Sequence, residues 1–365
     1  MNILHICSIT NNKSSGISMV VPEHYLYQSQ YENVTLLNCN DTVIEKLKNK
    51  DKVFYWNRDL EKNIINLDKL IGKMDIVVFH GVYITEYLRI YKFLIKKDIP
   101  YIIIPHGSLT SNAQEIKKLK KIIANCLFFK DFINNAYYIQ YLSKQEEKLS
   151  IKFKHKHFIE GNGLNDSKLK KKEFSTNGLK LIYVGRYDIY HKGIDILISG
   201  CEKIKDFLIE KGIKVSLYGT GNDGKVKINE IVKKSRLKEI ISVNEAIFDE
   251  EKVLKILDSD VFIQTSRLEG QPLGVIEAFM LGMPVILSSG TSFDNIERLN
   301  MGFLANTPQE VANAIIKCYN QKDKLPLMSK ASIKFYKENF NWENIAQRSI
   351  EDYKKILEER TSDKK

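Results

Sequence analysis

Short apolar, β-branched runs alternate with helical periods along the whole chain, and the alternation occurs twice, on either side of one charged stretch. In the first half the runs are Asn2 to Ser8, Asn33 to Asn38, Ile76 to Phe79, Tyr101 to Ile104 and Ala136 to Gln140. Each leads into a polar or glycine-bearing turn and then a periodic segment, as buried parallel strands joined by helical crossovers require. After Glu160-Gly-Asn-Gly163, the stretch Lys168-Leu-Lys-Lys-Lys172 carries charge without periodicity and reads as a linker. A second series follows: Lys180 to Val184, Lys214 to Tyr218, Ile240 to Val243, Val261 to Thr265 and Pro284 to Leu287. A chain of 365 residues exceeds one ordinary core and suits two α/β domains. The expected division is 1–165 and 166–341, with a final helix at about 342–360 whose Ile345, Ile350, Tyr353 and Ile356 recur at helical spacing.

Charge and cysteines bound the partners and the compartment. There are 56 Lys and Arg against 45 Asp and Glu, a net charge of +11 that favours phosphate-rich ligands, anionic membrane or nucleic acid without choosing among them. Cys7, Cys39, Cys126, Cys201 and Cys318 are dispersed and odd in number, with no metal-ligand spacing, so the expectation is a reducing cytoplasm. The amino terminus enters a strand directly, without the basic and apolar regions of a secretory signal. No apolar run approaches the roughly 20 residues of a membrane span.

The densest chemistry lies in Glu269-Gly-Gln-Pro-Leu-Gly-Val-Ile-Glu277. Two carboxylates flank a Gly-Pro-Gly turn after a buried strand, and Pro272 stands where it can open a helix from Leu273 to Leu281. Glu269 falls on the loop and Glu277 about one turn into the helix. The amides of Leu273, Gly274 and Val275 lie at the helix start, where phosphate binds well. An anion site between two carboxylates suits a diphosphate flanked by two hydroxyl-bearing rings. Singly, each Glu reads as an ordinary turn or helix-surface residue.

Further candidates end other strands. Val184-Gly185-Arg186, with His191-Lys192-Gly193 a few residues on, sets a guanidinium and an ammonium where a diphosphate could be neutralised. Tyr218-Gly-Thr-Gly221 permits close approach of backbone to a ligand, although a purely structural turn accounts for it equally well. In the first half, Ile104-Pro-His106-Gly107 puts a histidine at a strand end, and Ser14-Ser15-Gly16-Ile17 forms a loop at a helix start. Ser143-Lys-Gln-Glu146 has the capping-box pattern. Asp258-Ser-Asp260 precedes a strand, at the end away from the ligand side, and reads as a helix-to-strand turn rather than a metal site. The segment Glu115 to Phe132 interleaves Lys117, Lys118, Lys120, Lys121 and Lys130 with apolar residues. It fits an anionic bilayer surface and a helix packed on the sheet equally well.

The Glu-x7-Glu spacing, the Ser266-Arg267-Leu268-Glu269-Gly270 lead-in and the Gly282-Met-Pro284-Val-Ile sequence after it resemble the donor-binding segment of retaining family 4 glycosyltransferases. The resemblance is strongest from Tyr183 to Ile286. It implies the GT-B fold: two Rossmann-like, doubly wound parallel-sheet domains facing across a crevice, with the tail helix crossing back onto the first. It implies a metal-independent, retaining hexosyltransferase that moves a sugar from a nucleoside-diphosphate sugar, UDP-linked in expectation, to a glycan or lipid-linked saccharide acceptor. By the same resemblance Glu277 holds the ribose, Glu269 and His106 approach the donor sugar, and Arg186, Lys192, Gly16 and the amides of Leu273, Gly274 and Val275 bind the diphosphate. Gly219 and Gly221 lie near the nucleotide. No cofactor or metal is expected, and the setting is polysaccharide biosynthesis for the cell envelope, in the cytoplasm or on the inner face of its membrane. Two other readings are a GT-B-fold sugar-nucleotide epimerase and a basic nucleic-acid-binding protein. The turn Ser288-Ser-Gly-Thr-Ser292, with Glu297 beyond it, departs from the Gly-Gly and downstream Glu of relatives, as does the single Gly16 in place of a Gly-Gly pair.

Overall fold

A computed structural model describes residues 1–12, 15–60, 66–115, 123–151, 153 and 155–363, with the side chains of 60, 112 and 126 outside that description. The chain divides into two units, Met1–Gly163 with the C-terminal segment from Trp342, and Leu164–Asn341.

Unit 1 is built on seven parallel strands: β1 (Asn2–Cys7), β2 (Asn33–Asn38), β3 (Val53–Tyr55), β4 (Ile76–His80), β5 (Tyr101–Ile104), β6 (Tyr138–Tyr141) and β7 (Lys156–Ile159). Their order is β3-β2-β1-β4-β5-β6-β7, so the winding reverses between β1 and β4. There Ile3 to Ile6 pair with Ile76 to Phe79. β4 and β5 are buried along their whole length, consistent with a sheet covered on both faces. Helices Gly16–Gln28 and Trp342–Asp363 pack together, and Trp342 sets its ring edge-on to His24 at 4.9 Å between centroids. At Gly163 a Cβ would lie 2.7 Å from the Trp342 ring, so the small residue is what admits the tryptophan.

Unit 2 holds six parallel strands: β8 (Leu179–Val184), β9 (Ile213–Tyr218), β10 (Ile241–Asn244), β11 (Val261–Gln264), β12 (Val285–Leu287) and β13 (Gly302–Leu304), in the order β10-β9-β8-β11-β12-β13. This is the doubly wound dinucleotide-fold order, with its switch point between β8 and β11. Val261 and Phe262 pair there with Leu181 and Ile182.

The structure adds three strands to the ten read from the sequence. β3, β7 and β13 are all sheet edges. β7 shows why such strands are silent: Lys156, His157 and Ile159 are exposed, so no apolar run marks it. The charged stretch is also not a free linker. Lys171 is buried, donating its N–H to Leu281 O at 2.7 Å and its ammonium to Leu257 O at 2.9 Å, while Lys170 Nζ reaches Met280 O. Long lysine stems bury while their heads find carbonyls, which charge counting in a sequence overlooks.

Of the interleaved basic and apolar segment, residues 116–122, including Lys117, Lys118, Lys120 and Lys121, lie outside the described residues. Beyond them Phe129 and Phe132 are in the core of unit 1, whereas Leu127 and Phe128 are 68% and 56% exposed. No helix among the described residues is long and apolar enough to cross a membrane. Cys7, Cys39, Cys201 and Cys318 are buried free thiols.

Candidate active site

The switch point of unit 2 gathers the strongest candidates. β11 ends at Gln264, and the loop that follows returns Glu269 to the strand end. Three donors converge on its Oε1: Lys192 Nζ at 2.5 Å, Ser266 Oγ at 2.7 Å and Gln264 Nε2 at 2.8 Å. Glu269 and Lys192 are only 11% and 14% exposed, so the pair is shielded from water and its geometry matters. All three donors meet the same oxygen, so Oε1 is the carboxylate oxygen that the protein immobilises.

Lys192 is aimed by its backbone. Gly193 has a φ of 62° and caps the helix Ile194–Lys203; a Cβ there would lie 1.9 Å from the Thr265 carbonyl. Thr265 Oγ1 in turn donates to Gly193 O at 2.7 Å. Arg267 adds a bidentate pair to Asp195 at 2.7 and 2.6 Å, and its backbone N–H donates to His191 O. The loop after β8 and the loop after β11 are thereby tied into one body.

The helix Leu273–Leu281 starts at Pro272 and stops at Gly282, which adopts the left-handed conformation with a φ of 79°. Glu277 lies one turn in. Its Oε1 accepts from Lys252 Nζ at 2.9 Å, Lys252 coming from the helix Asp249–Asp258. Burial raises the Glu277 pKa, opposed by Lys252. Lys252 was not among the sequence candidates, because nothing in Asp249-Glu-Glu-Lys252 separates it from the other lysines of amphipathic helices. The expectation for the helix start needs a correction. Val275 N–H donates to Pro272 O at 3.0 Å, a tight first turn that withdraws it, so Leu273 and Gly274 keep the amides with no partner among the described residues. At Gly274 a Cβ would make only ordinary contact, 3.4 Å from Val184 O, so packing does not require the glycine.

Arg186 follows β8 and is exposed; its carbonyl accepts from Tyr183 Oη at 2.8 Å, and no carboxylate among the described residues pairs with its guanidinium. Gly219 is explained by protein contacts: a Cβ would lie 2.2 Å from Gly185 O. Gly221 has a φ of 111° and caps the helix Asn222–Lys234. Tyr187 Oη lies between two carbonyls of the same loops, 2.9 Å from Leu217 O and 2.7 Å from Asn244 O, and its single proton serves one of them at a time. At the opposite end of β11, Asp260 is buried and accepts the N–H of Ser175 and of Lys180, both at 2.8 Å, which makes Asp258-Ser-Asp260 a helix-to-strand turn. Beyond β12, Glu297 is used locally, accepting from Leu304 N–H.

In unit 1, His106 follows β5 with a φ of 50°, and Gly107 follows with 79°. A histidine held in the left-handed region is strained and needs surrounding support. Glu146 supplies it. Ser143 Oγ accepts from Glu146 N–H at 3.0 Å, as the capping pattern predicted, while the Glu146 carboxylate accepts from Gly107 N–H at 2.5 Å and Leu142 N–H at 2.7 Å. Sequence reasoning read Glu146 as a cap and missed this anchoring of the His106 turn. Alanine at Glu146 leaves two amide donors unsatisfied and is expected to destabilise the protein by about 2 kcal/mol or more, measured by denaturant unfolding. Gly16 opens the helix Gly16–Gln28, capped by Ser15; Ser14 lies outside the described residues.

Residues 178–321 match the family described as Glycosyl transferases group 1. The chain carries a glycosyl transferases group 1 domain. That domain contains Arg186, Lys192, Glu269 and Glu277 together. An uncharacterized glycosyltransferase of Methanocaldococcus jannaschii is 29% identical over 205 residues, covering 53% of this chain and 48% of the relative. The chain thus spans about half the length of that curated relative. Among solved structures, a glycosyltransferase from Rickettsia africae superposes with a TM-score of 0.72 at 16% identity, covering 98% of each chain. Anabaena HepE in complex with UDP and glucose gives 0.70 at 16% identity, covering 97% of this chain and 100% of that one. The group 1 domain and its companion unit therefore have the GT-B fold.

Proposed function

We propose that the chain is a retaining glycosyltransferase that moves a sugar from a UDP-linked donor to a glycan or lipid-linked saccharide acceptor without a metal ion. The observation that carries this reading is the shielded Lys192–Glu269 pair at the β8/β11 switch point, in the domain whose relatives are glycosyltransferases. Support for the donor class comes from HepE, whose structure contains UDP and glucose.

In this reading Arg186, Lys192 and the amides of Leu273 and Gly274 hold the diphosphate, and Glu277 accepts hydrogen bonds from the ribose. As the bond from the anomeric carbon to the phosphate oxygen breaks, its electron pair passes to the diphosphate, where the cations and amides stabilise the growing charge. The acceptor hydroxyl bonds to the anomeric carbon on the face just vacated and gives its proton to a phosphate oxygen. Lys192 is already neutralised by Glu269, so the exposed guanidinium of Arg186 supplies the uncompensated positive charge. Asp258 and Asp260 stand at the amino end of β11, with Asp260 engaged by backbone amides, which supports a charge role for side chains rather than for an aspartate-held metal.

Thermal-shift titration with UDP, GDP and ADP, each free and sugar-linked, tests the donor class, because a ligand raises apparent stability by mass action. UDP and a UDP-sugar should raise the Tm; no response to any nucleotide rejects the proposal. Product analysis then separates readings: conversion of the donor to an epimer without acceptor would replace transfer by epimerisation. Arg186→Ala is expected to weaken UDP binding by about 2 kcal/mol, on the order of thirtyfold in Kd, with the Tm unchanged because the side chain is exposed.

A further inference from the structure

Behind His106 runs an unbroken line of hydrogen-bonded side chains. Gln28 Oε1 meets His5 Nε2 at 2.9 Å, His5 Nδ1 meets His80 Nε2 at 2.9 Å, and His80 Nδ1 meets His106 Nε2 at 3.1 Å. Gln28, His5 and His80 are fully buried. Their placement follows from the fold, since His5 is on β1, His80 ends the neighbouring β4, and His106 follows β5. A fourth ring, His24, lies 6.1 Å from His5 and 5.4 Å from His80, bonded through Nε2 to Asn162.

The polarity of this line follows from one end. An amide oxygen only accepts, so His5 must carry its proton on Nε2. A second proton on any ring would be a buried charge, and burial with its neighbouring histidines holds His5 and His106 neutral, at about 3, and His80 well below the ordinary range. A neutral ring has one N–H. His5 Nδ1 therefore accepts from His80 Nε2, His80 Nδ1 accepts from His106 Nε2, and the remaining nitrogen of His106 is a lone pair.

We propose that Gln28, acting through His5 and His80, fixes the tautomer of His106, so that His106 presents an unprotonated Nδ1 as an acceptor for a sugar hydroxyl. The sugar ligand rests on the glycosyl-transfer reading; the tautomer does not. Gln28, His5 and His80 are positioning residues, and the line explains why a histidine is held in a left-handed turn: the ring must meet His80 on one side and a ligand on the other. Among the described residues the Gln28 side chain meets His5 through Oε1 and also interacts with the Tyr353 hydroxyl, and turning the amide over would reverse every bond in the line.

Two-bond proton–nitrogen correlation spectra of the full chain labelled with 15N-histidine report each tautomer without any substrate, with His106 assigned by its loss in His106→Asn. The wild type should show His106 Nε2 protonated and Nδ1 unprotonated. Gln28→Met removes the acceptor and should redistribute His106 between tautomers, whereas Gln28→Glu keeps an acceptor and should preserve the wild-type form. Should Gln28→Met fail to fold, His80→Phe interrupts the line at similar volume and should redistribute His106 in the same way. A wild-type His106 protonated on Nδ1, or a tautomer indifferent to both interruptions, overturns the proposal. A protein that shows the predicted tautomer yet binds no nucleotide sugar rejects the glycosyl-transfer reading alone.

Discussion

Alanine at Glu277 is expected to weaken UDP binding by about 3 kcal/mol, on the order of a hundredfold in Kd, while the Tm moves little. The carboxylate sits one turn into the Leu273–Leu281 helix, 13% exposed, and Lys252 is the cation it meets. A carboxylate accepting two ribose hydroxyls makes charge-assisted bonds that alanine cannot replace, and these are stronger in a shielded site. Stability depends on it less, because Lys252 is 28% exposed and rehydrates when its partner is removed. The pH dependence has a definite sign. Burial raises the Glu277 pKa and Lys252 pulls it down, with burial the larger. The carboxylate thus protonates at a higher pH than an ordinary glutamate, and UDP affinity should fall on acidification before that of a solvent-exposed carboxylate site would. Lys252→Met removes the opposing influence and should move this acid limb to higher pH. Calorimetric titration of UDP across pH measures both. Wild-type affinity in Glu277→Ala, or a limb that moves to lower pH in Lys252→Met, rejects the ribose role.

The fold and the main side chains of the candidate site are legible in the sequence because each rests on a short-range signal. Ten strands announce themselves as continuous apolar runs, as parallel sheets buried on both faces must. The edges β3, β7 and β13 do not, since an edge strand has one side and sometimes one face in water. Glu269, Glu277, Arg186 and Lys192 were visible because they stand at fixed distances from strand ends. Their partners were not. Lys252 reaches Glu277 from another helix, Gln264 is a strand residue whose side chain turns back to Glu269, and Glu146 reaches Gly107 across 39 positions of sequence. Each of these contacts is created by packing between elements, which periodicity does not encode. Val275 was misread for a different reason: a helix start with proline at the cap can tighten its first turn and consume an amide that an ideal helix leaves open.

The line from Gln28 to His106 shows the same limit more sharply. His5 is on β1, His80 ends β4 and His106 follows β5, and a reading that weighs each histidine alone finds two core residues and one candidate. Only the strand order β1-β4-β5 makes them neighbours. Burial and the neighbouring rings lower the pKa of all three histidines, so they meet one another as neutral hydrogen-bonding groups.

Gly193→Ala should produce the largest loss of all: a fall in stability of more than about 3 kcal/mol, on the order of 10 °C in the Tm of this unit, together with loss of UDP binding in the protein that remains folded. Two separate penalties combine at this residue. A φ of 62° disfavours any Cβ by about 1–2 kcal/mol, and the new methyl would lie 1.9 Å from the Thr265 carbonyl, well inside contact distance. Relief requires the loop after β8 to withdraw from the end of β11. That motion would break the Thr265 bond to Gly193 O and lift Lys192 away from Glu269, leaving a poorly hydrated carboxylate without its cation. Gly212→Ala provides the control, because its φ of 63° imposes the same backbone penalty while the nearest atom to its Cβ is 3.8 Å away. It should lose only the backbone share of the stability and keep full UDP affinity. Equal Tm losses in the two variants would show that contact with Thr265 does not hold the loop, and retained UDP binding in Gly193→Ala would separate the Lys192–Glu269 pair from donor recognition.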